Sequence, residues 1–93
     1  MKLSPDEISE RLATLSGWQS IDDHHLVARY EFSDFVQALA FTNAIGQMAE
    51  EQQHHPDILL GWGKVEVTLW THSVDGLTDN DFRLATAIAA ASQ

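Results

Sequence analysis

Two stretches of strict alternation, one on each side of a long helical pattern, constrain this chain more than any other feature. From His25 to Phe32, Leu26, Ala28, Tyr30 and Phe32 fall on one side, with Val27, Arg29 and Glu31 on the other. From Lys64 to Thr71, Val65, Val67, Leu69 and Thr71 share one side, while Lys64, Glu66, Thr68, Trp70 and the following His72 share the other. A period of two is that of a strand with one face buried. Between the two stretches, Phe35, Ala38, Leu39, Thr42, Ile45 and Met48/Ala49 recur at helical spacing up to about Gln52. A sheet with one apolar face needs a second layer over that face, and amphipathic helices supply it.

The remaining elements are shorter. Ser4-Pro5-Asp6-Glu7 reads as a helix start, with Ser4 as cap, Pro5 in the first turn and Glu7 completing a capping box. Ile8, Leu12 and Leu15 give that helix its apolar stripe, and Gly17 can end it. Trp18 to Ile21 reads as a short strand and Asp22-Asp23 as a turn. Ser33 can cap the central helix, with Asp34 in its first turn. Asp57 to Trp62 is a further short strand, Gly63 a turn, and Ser73 to Leu77 a loop. Thr78-Asp79-Asn80-Asp81 opens a last helix that buries Phe82, Ala85, Ile88 and Ala89. The order αββαββα predicts an α+β fold in two layers: a four-stranded antiparallel sheet with helices packed on one face. Residues 1–93 are expected to form a single domain.

Charge narrows the partners. The chain of 93 residues has 5 Lys+Arg against 14 Asp+Glu, a formal net charge of -9. Such a surface does not neutralise phosphates, so nucleic acid is not expected as a partner, nor is an anionic membrane surface. With no Cys there is no disulfide, thiolate nucleophile or Cys-based zinc site. No apolar run approaches the ~20 residues of a membrane span, and Met1 to Glu7 lacks the apolar core of a secretory leader. A cytoplasmic location is expected. Five His remain conspicuous, four of them in two adjacent pairs.

The chemistry concentrates in Glu50-Glu51-Gln52-Gln53-His54-His55-Pro56-Asp57. Glu50 and Glu51 fall at the C-terminal end of the central helix, where the macrodipole disfavours negative charge by roughly 0.3–1 kcal/mol. Folding alone does not call for such a cluster. Imidazole titrates near ~6.5 and moves protons at neutral pH, and a neighbouring carboxylate fixes its tautomer. Glu50 is followed after three residues by His54-His55-Pro56. Trp62 comes after five more, His72 after nine, and Asp81 after eight.

This spacing resembles the signature of the pterin-4a-carbinolamine dehydratases. So does the surrounding text: Gly17-Trp18, Phe32-Ser33-Asp34-Phe35, Lys64-Val65, Thr71-His72 and Gly76-Leu77-Thr78 ahead of Asp81. The likeness runs from about Gly17 to Ile88. It implies an enzyme with no metal or other cofactor that dehydrates 4a-hydroxytetrahydropterin, the product of aromatic amino-acid hydroxylases, to quinonoid dihydropterin. It also implies the sheet-and-helix fold already read and a homodimer or homotetramer. Carried residue by residue, it implies His54, His55 and His72 as catalytic residues. Glu50, Asp81, Trp18 and Trp62 are implied around the substrate, the two Trp as walls of the pocket. Gln53 and Asn80 depart from positions where relatives can carry an acid and an Arg.

Other readings of the same residues stand beside this one. Glu50, His54 and His72 could form a His₂-carboxylate metal set. Asp81 could simply cap the last helix from Thr78. Trp62 and Trp70 could be packing residues, and Glu51 a solvated charge. His24 and His25 lie near a turn, lack spaced partners and are expected to face solvent. In place of an enzyme, the chain could be an oligomerising interaction module that regulates a partner.

Overall fold

The computed structural model describes residues 1–93 as α1 (Pro5–Leu12), β1 (Trp18–Ile21), β2 (His25–Glu31), α2 (Phe35–Gln52), β3 (Asp57–Gly61), β4 (Lys64–Leu69), a 3₁₀ turn (His72–Val74) and α3 (Asp79–Ala91). The four strands form one antiparallel sheet in the order β1-β2-β4-β3. This is the α+β, αββαββα arrangement that the alternation predicts.

The register shows why alternation was informative. Ala28 faces Val67, which faces Ile58; Tyr30 faces Val65, which faces Leu60; Leu26 faces Leu69. These rows present one apolar surface. Against it α2 buries Ala38, Phe41, Ile45 and Ala49, and α3 buries Phe82, Leu84, Ala85 and Ile88. One cluster of 18 buried residues results. Each fully buried Leu or Ile in it contributes roughly 1.5–3 kcal/mol.

Several boundaries differ from the sequence expectation. The first helix stops at Leu12, yet Leu15 stays buried in the turn that follows. Asp34, not Ser33, caps α2, its side chain accepting from Gln37 N–H. The last strand ends at Leu69, short of Thr71, which makes only an isolated bridge to Gly76. His72 therefore leaves the strand and begins the 3₁₀ turn. Both hairpin turns are tight. Asp22 and Asp23 adopt φ of 55° and 52°, and His24 N–H donates to the Ile21 carbonyl at 2.9 Å. The two successive left-handed residues in this three-residue connection match the strand twist. At the other turn, a Cβ on Gly63 would lie 2.9 Å from the Phe32 carbonyl oxygen, so only Gly fits there. No helix is long and apolar enough to cross a membrane.

Candidate active site

Three chain segments meet beyond the C-terminal end of β4: the end of α2, the segment Trp70–Ser73 and the start of α3. Gln53 terminates α2 in the left-handed region, at φ 52°. Its N–H donates to the Glu50 carbonyl at 3.3 Å, and His54 N–H to the Ala49 carbonyl at 3.1 Å. This is the Schellman pattern of closure. It folds the chain back over the helix end and aims His54 at α3. The Gln53 side chain adds a 2.7 Å bond to the Glu50 carbonyl.

His54 Nε2 lies 2.5 Å from Asp81 Oδ1. Asp81 is fully buried, and only 12% of the His54 side chain is exposed. The other carboxyl oxygen, Oδ2, accepts from the Thr71 hydroxyl at 2.8 Å and from Thr78 N–H at 2.9 Å. Thr71 and Thr78 also pair through their hydroxyls at 2.8 Å, and Thr78 Oγ1 accepts from Asn80 N–H. With Oδ2 taken up by two donors and Oδ1 an acceptor, hydrogen-bond logic assigns the His54 proton to Nε2 and leaves Nδ1 as its unprotonated nitrogen. Asp81 both caps α3 and holds the His54 imidazole, so the capping expected from Thr78 does not occupy it alone.

The second imidazole is held more loosely. His55 Nε2 lies 2.5 Å from Glu50 Oε2, with 58% and 71% of the two side chains exposed. The third, His72, is oriented by stacking: its ring lies 4.3 Å from that of Trp70 at an interplanar angle of 30°. Gln53, His54, His55, Trp70, Thr71, His72 and Ser73 line one shallow hollow of about 250 Å³. A larger hollow, about 650 Å³, lies on the outer face of the sheet. It holds no imidazole, and its charged groups Arg29 and Glu66 are paired at 3.4 Å. The smaller hollow is the one with groups that exchange protons at neutral pH. No group of three or more His, Asp or Glu side chains is arranged to hold a metal ion, so Glu50, His54 and His72 do not form the alternative metal set.

The structure thus brings together Glu50, His54, His55, His72 and Asp81. It keeps Trp18 and Trp62 away. Trp18 sits in the core, its Nε1–H donating to the Tyr30 hydroxyl at 3.0 Å. Burial and that bond push the Tyr30 hydroxyl in opposite directions, and burial prevails, raising its pKa. Trp62, 69% exposed, occupies the β3–β4 turn, at the opposite end of β4 from His72. Within one chain neither walls the hollow. The aromatic that does is Trp70, which the alternation places in a strand but which lies just beyond the end of β4. His24 and His25 also differ from expectation. Both are half-buried, and their rings lie 5.7 and 6.2 Å from the Trp70 ring.

Residues 1–91 match the family described as pterin 4 alpha carbinolamine dehydratase. This chain belongs to that family. A relative from Alkaliphilus metalliredigens, provisionally named a pterin-4-alpha-carbinolamine dehydratase, is 49% identical over 87 residues, covering 92% of this chain and 78% of its own. One from Rubrobacter xylanophilus, with the same provisional name, is 45% identical over 86 residues, covering 92% and 80%. A crystal structure from Brucella melitensis, titled transcriptional coactivator/pterin dehydratase, superimposes over 100% of both chains with a TM-score of 0.95 at 33% identity. A pterin dehydratase-like protein described as a RuBisCO assembly factor of the alpha-carboxysome shares the fold at 24% identity, with a TM-score of 0.69 over 82% of this chain and 89% of its own. Family and relatives support a pterin dehydratase, a hydro-lyase in class.

Proposed function

We propose that this protein dehydrates 4a-hydroxytetrahydropterin to quinonoid dihydropterin by imidazole acid–base catalysis, and so returns the oxidised cofactor of an aromatic amino-acid hydroxylase toward reuse. The observation that carries the reading is the gathering of three imidazoles at one hollow, one of them fixed by a fully buried carboxyl. In the reaction the C4a–O bond breaks as its oxygen takes a proton and leaves as water. The N5 proton goes to a base, and the freed electron pair forms the C4a=N5 bond. One proton is given and one taken, so no redox partner is required. His54, through Nδ1, and His72 are the acid–base groups from opposite walls, a role worth ~10²–10⁴ in rate. His55 orients the pterin with Glu50 behind it, and Asp81 positions His54.

The wider setting belongs to the same proposal: a cytoplasmic homodimer or homotetramer. Strands β1 and β3 are open sheet edges. Phe35, Val36 and Leu39 on α2, Leu59 on β3 and Trp62 are exposed apolar side chains of the kind that assembly covers. Light scattering at micromolar concentration is expected to give a closed oligomer; a clean monomer contradicts it. The same exposed surface favours a second reading, a non-enzymatic interaction module. The two part in one experiment. Freshly generated 4a-hydroxytetrahydropterin is consumed faster with the enzyme than without it, and a stable pterin analogue raises the melting temperature. A bare interaction module does neither.

A further inference from the structure

His72 is exposed and lacks the carboxylate partner that His54 and His55 each have, yet it is held in a circuit of contacts that the reaction chemistry does not explain. Its ring stacks on Trp70. Trp70 also meets the rings of His24, at 5.7 Å and 39°, and His25, at 6.2 Å and 61°. His24 and His25 touch through their Nδ1 atoms at 3.1 Å. His24 Nε2 then reaches Asp75 Oδ1 at 2.7 Å. Asp75 closes the 3₁₀ turn that His72 opens, its own N–H donating to the His72 carbonyl at 3.2 Å, with a left-handed φ of 50°. Side chain and backbone of His72 are thus gripped by one ring of residues, drawn from the β1–β2 turn and from the segment after β4.

We infer that Trp70, backed by the His24–Asp75 pair, is a positioning residue for His72. The inference rests on the dehydratase reading and adds three residues to it. A lone imidazole on a three-residue turn would sample several rotamers. Proton transfer demands a reach of about 3 Å, and a 1 Å misplacement costs up to about 10²-fold. Stacking fixes the ring plane without occupying either ring nitrogen, which keeps both free for the substrate. The indole face also lies where positive charge develops whenever His72 takes a proton, a favourable cation–π arrangement. The two Asp of the turn before His24 set where its ring falls, through the tight hairpin they form.

A double-mutant cycle tests this. Trp70→Ala and His24→Ala are each expected to lower kcat for dehydration about 10- to 100-fold. Trp70→Phe is expected to retain most of the activity. In a His72→Ala background the Trp70 and His24 losses are expected to vanish, because they act through His72. If they persist undiminished there, Trp70 serves the substrate or the fold and the inference is overturned. It is equally overturned if Trp70→Ala and His24→Ala match the wild type. Should Trp70→Ala fail to fold, His24→Gln and Asp75→Asn carry the same cycle. One readout is independent of turnover: the His72 ring protons in the wild type are expected to be displaced by the indole ring current and to return in Trp70→Ala, and their absence of displacement overturns the stack. A wild type that does not accelerate dehydration overturns the dehydratase reading instead. A silent His72→Ala removes the role of His72, and this one with it.

Discussion

The two walls of the hollow hold their imidazoles by opposite means. On the α2–α3 wall, His54 is bonded to a carboxyl with no exposure, whose second oxygen accepts two further hydrogen bonds. On the other wall, His72 is exposed and is oriented by a ring face and by a surface His–Asp pair. The first device is part of the fold: removing its carboxyl strips the cap from α3 and the partner from two Thr. In the second, Trp70 packs against the outside of the core, while the His24–Asp75 pair is partly exposed and can be altered with little loss of stability. Proximity in sequence conceals this difference. His54 and His55 are neighbours, yet one is locked into the interior and the other rests on Glu50 in solvent.

The largest test of that contrast is Asp81→Ala. It leaves the Thr78 N–H, the Thr71 hydroxyl and His54 without their acceptor in a buried place. A loss of about 3–5 kcal/mol is expected, read by chemical denaturation, and dehydration should fall with it. A stability change under about 1 kcal/mol would mean that the buried network carries no special weight. The exposed counterpart, Glu50→Gln, should change stability by no more than about 1 kcal/mol, since pairs in solvent contribute little. Its effect belongs in KM, through a less constrained His55.

Much of this contrast was legible beforehand, and particular residues show why some was not. The alternation of Leu26, Ala28, Tyr30 and of Val65, Val67, Leu69 is a direct consequence of one-sided burial, so the sheet could be read from it. The gathering of Glu50, His54, His55, His72 and Asp81 was legible in the spacing that resembles the family. The direction of each side chain was not. Trp18 and Trp62 have the right chemistry for pocket walls, but strand register sends one into the core and the hairpin sends the other to the far end. Trp70 takes their place because the chain leaves β4 at Leu69, a break that the continuing alternation to Thr71 hides. Gln53 holds a left-handed position normally marked by Gly, so the turn that aims His54 had no signal. His24 and His25 looked isolated because their partners, Asp75 and Trp70, lie far along the chain.

Acid should find the peripheral wall. The hydrogen bond from His24, and its charge, hold the Asp75 carboxyl below the usual carboxylate range, and the Ser4 backbone N–H does the same for Glu7 in the first capping box. A carboxyl whose folded pKa is depressed adds stability above its unfolded value of about 4 and loses it as pH falls through the folded value. Melting temperature is therefore expected to decline below about pH 4 as these carboxyls take up protons. Carbon-detected titration should place Asp75 below its ordinary value in the wild type and return it in His24→Ala. The smallest expected effect is in the same hairpin. Asp23→Gly relieves a left-handed residue but loosens the unfolded chain, so the two effects oppose and melting temperature should move by no more than a few degrees.

Catalysis across the hollow is tested most directly by the turnover of freshly generated 4a-hydroxytetrahydropterin, followed for the wild type, His54→Ala and His72→Ala side by side, with melting curves on the same samples. Each variant is expected to stay folded and to lose about 10²–10⁴ in dehydration rate. Two folded variants that dehydrate the pterin as fast as the wild type would contradict it.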